Sequence, residues 1–294
     1  MAYRYMTVDV FTERRFGGNP LAVLPDAVGL SDAEMQALAA EFNLSETTFV
    51  LPPENPANSA RVRIFNRTHE MPFAGHPNVG TAYALACLGL VPGDELRFEE
   101  LAGLVTVRLE RDAAGAPIGA AIDAPQPLTL GVELAPSDVA ECAGLAPADV
   151  VTAHHRPVHA SVGNTFVLVE VTREALSRAT PDLAAFRRVL ARTPELDGRY
   201  SLYLYARDGA EVRARMFAPL SGTYEDPATG SAATPLAALL LSLAGGDAAE
   251  YTILQGVEMG RPSMLYASAR RAADGLRASV RGRCVPVLHG EAVV

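Results

Sequence analysis

The sequence lacks the marks of several large functional classes. It has three cysteines, Cys87, Cys142 and Cys284, odd in number and far apart. That spacing argues against a disulfide framework and against a clustered zinc motif. No apolar run reaches about 18 residues, so no membrane-spanning helix is expected. The opening stretch, MAYRYMTVDVFTERRFGG, reads as a strand and lacks the layout of a secretory signal, which leaves the cytoplasm as the default compartment. Positive charge is in deficit: 25 Lys and Arg stand against 34 Asp and Glu, a net charge of −9. This argues against a nucleic acid or an anionic membrane as partner. It leaves room for a small anionic substrate, because a local anion site can sit in an acidic protein. No Gly-Lys-Ser/Thr phosphate loop, GxGxxG turn or GxSxG elbow occurs, so nothing asks for a nucleotide. His154, His155 and His159 are close in sequence, but a spacing of i, i+1, i+5 cannot put all three on one face of a helix or strand. They read as polar loop and strand residues rather than metal ligands.

What is present is a packed chain of two-domain size: 294 residues, 49% hydrophobic and 20% charged. Two stretches share a layout. Residues 60–66 (ARVRIFN) form a strand-like run that leads to the loop MPFAGHPNVG and then to the apolar run 81–90. Residues 211–217 (EVRARMF) lead to the acidic loop EDPATGSAA and the apolar run 232–243. Each is a strand–loop–helix unit whose helix start offers unpaired N–H groups and a positive dipole end, suited to an anion. The loops align with Ala74 on Pro227 and Pro77 on Gly230, an offset near half the chain length, as duplication would give.

Between these units the pattern alternates strand and helix signals. Residues 3–11 alternate as a strand, 16–20 (FGGNP) form a turn, and 21–24 are a short apolar strand. Ser31-Asp32-Ala33-Glu34 is a capping box that opens a helix over 32–42, followed by a β-branched run over 47–51. Residues 115–130 carry three prolines and several alanines and are taken as the domain crossing. Helices over 136–144 and 181–193 flank strands at 157–161 and 165–171. A hairpin turns at Asp208-Gly209, and four strand-like pieces, 251–254, 263–269, 276–280 and 284–288, end the chain. Many strands with one long helix per half predict an α+β chain of two like domains.

Four side chains stand out chemically. Glu46 lies in a mostly uncharged stretch where a helix hands over to a strand. It is either a helix-end glutamate facing water or a carboxylate in a partly dry pocket that takes up and returns a proton. His76, between a glycine and a proline that can occupy a first helical position, is a surface cap or a group that donates to substrate or shuttles a proton. Asp226 is an N-cap or a catalytic carboxylate, and Ser231 a helix-start residue or an oxygen ligand for substrate. Arg261, in a turn-rich loop, pairs structurally or binds an acid.

Together these segments resemble the phenazine-biosynthesis isomerase (PhzF-like) family. The resemblance rests on residues 16–24 (FGGNPLAVL), 43–50 (NLSETTFV), 61–65 with 70–80 (RVRIF, EMPFAGHPNVG), 213–233 (RARMFAPLSGTYEDPATGSAA) and 255–263 (QGVEMGRPS), in the family's order through most of the chain. It departs at Asn66-Arg67, where the family has Thr-Pro; these residues lie outside the site that the resemblance implies. The resemblance implies the diaminopimelate epimerase-like α+β fold: two pseudo-symmetric lobes, each with a sheet wrapped around a central helix, and the site in the cleft between them. The core helices are then expected over 77–88 and 232–243. The lobes are expected over 1–120, contributing Glu46 and His76, and 121–294, contributing Asp226 and Ser231, with the last strands returning to the first lobe.

Epimerases of that superfamily use one cysteine from each loop as acid and base. Ala74 and Pro227 stand at those positions here, so a two-thiol racemase is excluded on its chemistry. The PhzF-like branch uses a glutamate instead, matched by Glu46 within Ser-Glu-Thr. The family's reference reaction isomerises trans-2,3-dihydro-3-hydroxyanthranilate without cofactor or metal. By resemblance, Glu46 moves a proton from C3 to C1, and Asp226 and His76 hold the amino and hydroxyl groups. Gly75, Gly230 and Ser231 grip the carboxylate. A homodimer is also implied, with a small carboxylate as substrate and no nucleic acid or membrane partner. Two alternatives stay open: an isomerase or tautomerase of another small carboxylic acid, and a non-catalytic small-molecule-binding or interaction protein on the same scaffold.

Overall fold

The computed structural model describes residues 1–91, 93–209 and 211–294. The chain forms two compact units, Met1–Asp123 with Arg281–Val294, and Ala124–Val280. Among the described residues, no helix is long and apolar enough to cross a membrane.

The first unit contains β1 (Ala2–Val10), β2 (Asn19–Leu24), α1 (Asp32–Phe42), β3 (Glu46–Leu51), β4 (Ala60–Phe65), β5 (Glu70–Met71), α2 (Gly75–Cys87), β6 (Glu95–Glu100), β7 (Gly103–Arg111) and β8 (Pro117–Asp123). Strands β1 and β2 pair antiparallel, β2 and β3 parallel, β3 and β4 antiparallel; β6, β7 and β8 form an antiparallel meander. Helix α2 is buried all round from Gly75 to Leu85, as a helix with little polar face must be. Strands β1, β2, β3, β7 and β8 pack around it. Gly80 permits the close approach: a Cβ there would lie 2.6 Å from Leu21 and 2.7 Å from Val10. Helix α1 lies outside this layer and closes a smaller core of Leu24, Leu30, Met35, Phe49 and Phe65. Its N-terminus is the expected capping box: Ser31 Oγ accepts from the Glu34 N–H, and the Glu34 carboxylate accepts from the Ser31 N–H.

The second unit contains β9 (Thr129–Glu133), α3 (Pro136–Cys142), β10 (Val158–Ser161), β11 (Thr165–Glu170), α4 (Arg173–Arg178), α5 (Leu183–Arg192), β12 (Leu202–Asp208), β13 (Glu211–Ala218), β14 (Thr223–Asp226), α6 (Gly230–Ala244), β15 (Ala248–Gln255) and β16 (Ser263–Ala272), and the first residues of β17 (Gly275–Val293). Helix α6 is buried from its first residue to Leu241 except at Ser231, and β10, β11, β15 and β16 pack around it. Helices α3, α4 and α5 cover the outer face of β11 and β12 over a core that includes Phe186, Val189, Leu202 and Phe217. The Asp208-Gly209 turn is present, with Gly209 at φ 64° and Asp208 paired to Glu211. Each unit thus wraps strands around one apolar helix.

Several sequence expectations are corrected. Residues 115–130, where the division between the units falls at Asp123/Ala124, also hold β8 and the start of β9; Pro117, Gly119 and two alanines mask the strand character of β8. Helix α4 precedes the expected helix at 181–193 as a separate element capped by Thr172. The two terminal pieces at 276–280 and 284–288 are one continuous strand, β17, whose C-terminal part pairs with β1. Gly282, between the two expected pieces, is a site of close packing. A Cβ there would meet the Phe11 ring at 2.2 Å, and a Cβ at Gly119 would meet the Gly282 carbonyl at 2.1 Å.

Candidate active site

In the first unit three elements bring together Asn19, Glu46 and His76. Asn19 opens β2, Glu46 opens β3 beside Leu21, and His76 is the second residue of α2. Both core helices begin two residues earlier than the sequence predicts, at Gly75 and Gly230, so Gly75, His76, Gly230 and Ser231 all lie in first turns. Pro77 is the third helical residue rather than the first, still within the turn where its missing N–H costs no intrahelical bond. Neither Ala74 nor Thr229 at the caps gives its helix a side-chain cap, which leaves first-turn N–H groups for a ligand. Thr48 Oγ1 lies 2.8 Å from Thr81 Oγ1, a buried link between β3 and α2 that sets the glutamate strand against the histidine helix.

His76 Nε2 lies 3.3 Å from Glu46 Oε2, with the histidine 6% and the glutamate 16% exposed. His76 Nδ1 is 3.3 Å from the amide nitrogen of Asn19, itself fully buried. This contact between Asn19 and Nδ1 orients the ring so that Nε2 faces the carboxylate. Burial holds the imidazole neutral, pushing its pKa down to about 3. His76 Nε2 and Glu46 Oε2 stand at ion-pair distance without the alignment of a hydrogen bond. Asn78, fully buried one turn along, donates its amide to the Ala74 carbonyl at 3.0 Å and braces the bend into α2. Beside Asn78, Glu100 at the end of β6 is a second buried carboxyl. Burial raises its pKa to about 8.

The site residues of the second unit are organised differently. Glu225 and Asp226, adjacent acids at the end of β14, have separate tasks. Arg215, buried in β13, makes two parallel bonds of 2.8 Å to the Glu225 carboxylate and donates to the carbonyls of Leu176 and Ala179. Glu225 is thus an anchor for the loop. Asp226 is 6% exposed, and its Oδ2 accepts from the Thr229 hydroxyl at 2.5 Å. Gln255, at the end of β15 and fully buried, bonds both ends of the Asp226–Thr229 turn. Gly256 stays flat against it at φ 74°, and a Cβ there would meet the Pro227 carbonyl at 2.6 Å. Ser231 is half-buried in the first turn of α6. Pro235 removes one helical donor four residues later, and Thr234 Oγ1 bonds the Gly230 carbonyl at 3.2 Å and the Ser231 carbonyl at 3.4 Å.

Sequence reasoning named Glu46, His76, Asp226 and Ser231 but missed Asn19, Thr229 and Gln255 as working side chains. All three stood in recognised stretches; only their long-range partners reveal what they do. The histidines at 154–159 turn to separate neighbours, His154 to Glu170 at 2.7 Å and His155 to Tyr205 at 2.7 Å. Cys87 closes α2, Cys142 is buried in the outer helical layer and Cys284 lies in β17, so no thiol stands at Ala74 or Pro227. Among the described residues, no three of His, Cys, Asp and Glu are grouped to hold a metal.

Two units that each wrap strands around a buried helix define a diaminopimelate epimerase-like fold, with a carboxylate–imidazole pair in the first unit and no thiol at Ala74 or Pro227. Comparison with known proteins gives the family. The phenazine biosynthesis-like (PhzC-PhzF) family model matches residues 8–290, and the chain belongs to this family. It is 40% identical to an uncharacterized isomerase of Mesorhizobium japonicum, over 98% of this chain and 97% of that one. It is 37% identical to the trans-2,3-dihydro-3-hydroxyanthranilate isomerase of Pseudomonas fluorescens, over 99% of this chain and all of that one. The crystal structure of a PhzF-family phenazine biosynthesis protein from Bacillus anthracis matches with a TM-score of 0.89 at 26% identity, over the full length of both chains. A probable proline racemase from Agrobacterium radiobacter, at 13% identity and a TM-score of 0.66 over 99% of this chain and 93% of that one, shares the fold alone. The protein is an isomerase with the diaminopimelate epimerase-like fold.

Proposed function

We propose that the protein isomerises a small unsaturated cyclic amino or hydroxy acid by proton transfer through Glu46, on the pattern of trans-2,3-dihydro-3-hydroxyanthranilate isomerisation, in the cytoplasm. The observation that carries the proposal is the Glu46–His76 pair at 3.3 Å, a partly open carboxylate facing a buried neutral imidazole. A carboxylate so placed takes a proton from an acidic ring carbon and returns it two carbons away, shifting the double bonds. His76 acts as a neutral neighbour rather than a proton store, because burial disfavours the imidazolium. Its Nε2 faces the carboxylate between the two transfers.

Asp226 accepts from the substrate's amino group. The first-turn N–H groups of α2 (Gly75, His76) and of α6 (Gly230, Ser231), with the Ser231 hydroxyl, are each suited to a carboxylate, and by resemblance they are the groups that receive the substrate's. Holding the ring by its two polar groups fixes the reacting carbons against Glu46, and such positioning supplies much of an enzyme's rate. The same residues serve an isomerase of a different small carboxylic acid equally well. The retention of Glu46 favours catalysis over a binding protein on the same scaffold. By resemblance we also propose a homodimer, which static light scattering or sedimentation of the purified chain would establish.

The test is ultraviolet turnover with trans-2,3-dihydro-3-hydroxyanthranilate and a panel of small unsaturated amino and hydroxy acids, with Glu46→Gln as the blank. Turnover of one panel member by the wild type, with a loss of about 100-fold or more in the variant, is the expected result. Near wild-type turnover in Glu46→Gln sinks Glu46 as the proton carrier.

A further inference from the structure

Gln255 uses every hydrogen-bonding position of its side chain. Its Oε1 accepts from the Tyr203 hydroxyl at 3.0 Å and from the Thr229 N–H at 3.2 Å. Its Nε2 donates to the Asp226 carbonyl at 2.8 Å and to Thr229 Oγ1 at 3.0 Å. The backbone fixes this orientation: the Thr229 N–H only donates and the Asp226 carbonyl only accepts, so exchanging the amide oxygen and nitrogen would set donor against donor and acceptor against acceptor. Tyr203 cannot reverse it either. Tyr203 is fully buried, and burial together with the Asp226 charge pushes its pKa far above the ordinary phenol value, so it stays a donor.

The proton of the Thr229 hydroxyl is thereby committed. Thr229 Oγ1 already accepts from Gln255, and its one proton points to Asp226 Oδ2 at 2.5 Å. Donation runs in a single sense: Tyr203 to Gln255, Gln255 to Thr229, Thr229 to Asp226. Every member is buried, where such bonds are strong and an unmade one is costly. The chain therefore ends on Asp226 with a donor directed at its Oδ2.

We infer that Gln255 and Thr229 are positioning residues that hold Asp226 as a hydrogen-bond acceptor, and that the site therefore selects substrates presenting an N–H donor to it. The selection is for an amino acid over the same acid lacking the amine. This rests on the proposed contact between Asp226 and the substrate's amino group, and it deepens that reading by assigning the residues that fix the contact's polarity. Neither residue need touch the substrate.

The experiment measures binding, apart from turnover, with two aromatic probes that differ by one amine: 3-hydroxyanthranilate and 3-hydroxybenzoate. Kd values for both are taken by calorimetry with the wild type, Thr229→Val, Thr229→Ser and Gln255→Met, each checked for folding by its thermal transition. Wild type is expected to favour the amine-bearing probe by about tenfold or more, the usual worth of a hydrogen bond to a charged group. Thr229→Val keeps the shape, removes the hydroxyl and should bring the ratio close to one. Gln255→Met should lower it in the same direction, and Thr229→Ser, which restores the donor, should recover it. A loss of fold cannot imitate this pattern, because both probes bind the same pocket and the serine variant restores only the hydroxyl. An unchanged ratio in folded Thr229→Val overturns the inference, as does a wild-type ratio near one. A protein that turns over no panel acid yet shows the collapse and rescue of the ratio would lose the isomerase reading and keep this one.

Discussion

The two site regions handle their carboxylates in opposite ways. In the first unit, Glu46 meets one neutral imidazole at 3.3 Å, a separation long for a hydrogen bond, and stays partly exposed. In the second, Asp226 is buried under a chain of donors in which Gln255 has no capacity left. Adjacent Glu225 is tied down further still, by a buried arginine. A group that must gain and lose a proton needs a surrounding that tolerates both states. A group that only orients a ligand gains from a surrounding that permits one. The contrast supports the proposed division of tasks where residue type cannot, since glutamate and aspartate have similar chemistry in water.

The most severe way to test that contrast is to neutralise each carboxylate in turn. Glu46→Gln should lower kcat by about 100-fold or more with little change in probe affinity, whereas Asp226→Asn should act first on affinity. Steady-state kinetics beside calorimetry separate the two; equal effects on kcat and Kd in both variants would erase the distinction. Next in size is the rigidity of the two frames. Gly256→Ala sets a Cβ 2.5 Å from the Arg261 carbonyl at a positive φ, where backbone must move, and is expected to cost about 3 kcal/mol. Gly80→Ala meets the side chains of Leu21 and Val10, which can turn aside, and should cost about 1–2 kcal/mol. Urea denaturation of both variants gives the order, and a larger loss at Gly80 would contradict it.

The first unit should also carry a pH signature. His76 has a folded pKa near 3 against an ordinary 6.5, so the unfolded chain binds the extra proton. Its contribution is full above about pH 6.5 and is lost as the pH falls toward 3. Glu100 works the other way: its pKa is raised to about 8, so its contribution is full below about pH 4.5 and is lost as the pH rises through 8. Unfolding free energies for His76→Leu and Glu100→Gln, each relative to wild type, should therefore gain ground at acid and alkaline pH respectively. Flat differences from pH 4 to 9 would show that burial does not perturb either group. The smallest effect serves as a control. Ser31→Ala removes the capping box of α1, away from both site regions, and should cost about 1 kcal/mol in stability while leaving kcat unchanged.

Much of this was legible in the chain itself, where signals are local. The α1 capping box, the Asp208-Gly209 turn and both apolar helices follow from residue type and period. The loops GHPN and EDPATGSA carried His76, Asp226 and Ser231, because a helix start advertises its anion site in glycine, serine and a short polar loop. What failed was local pattern working against tertiary need. Residues 117–123 form a strand although Pro117, Gly119 and two alanines weaken the signal, since the small residues are what the close approach to Gly282 requires. Gly282 lies inside the continuous strand and is a packing residue in the structure.

The sequence by itself determined which residues could do chemistry and that two like strand–loop–helix units would carry them. It excluded a thiol pair by placing alanine and proline where the racemase chemistry needs sulfur. The tertiary structure decided the surroundings of those residues. Asn19 stands 57 positions from His76 and orients its ring; Gln255 stands 29 from Asp226 and orders the donors around it. Helix and strand periods are properties of neighbouring residues, but a buried polar atom is satisfied by whatever the fold brings to it, and that partner has no local signature.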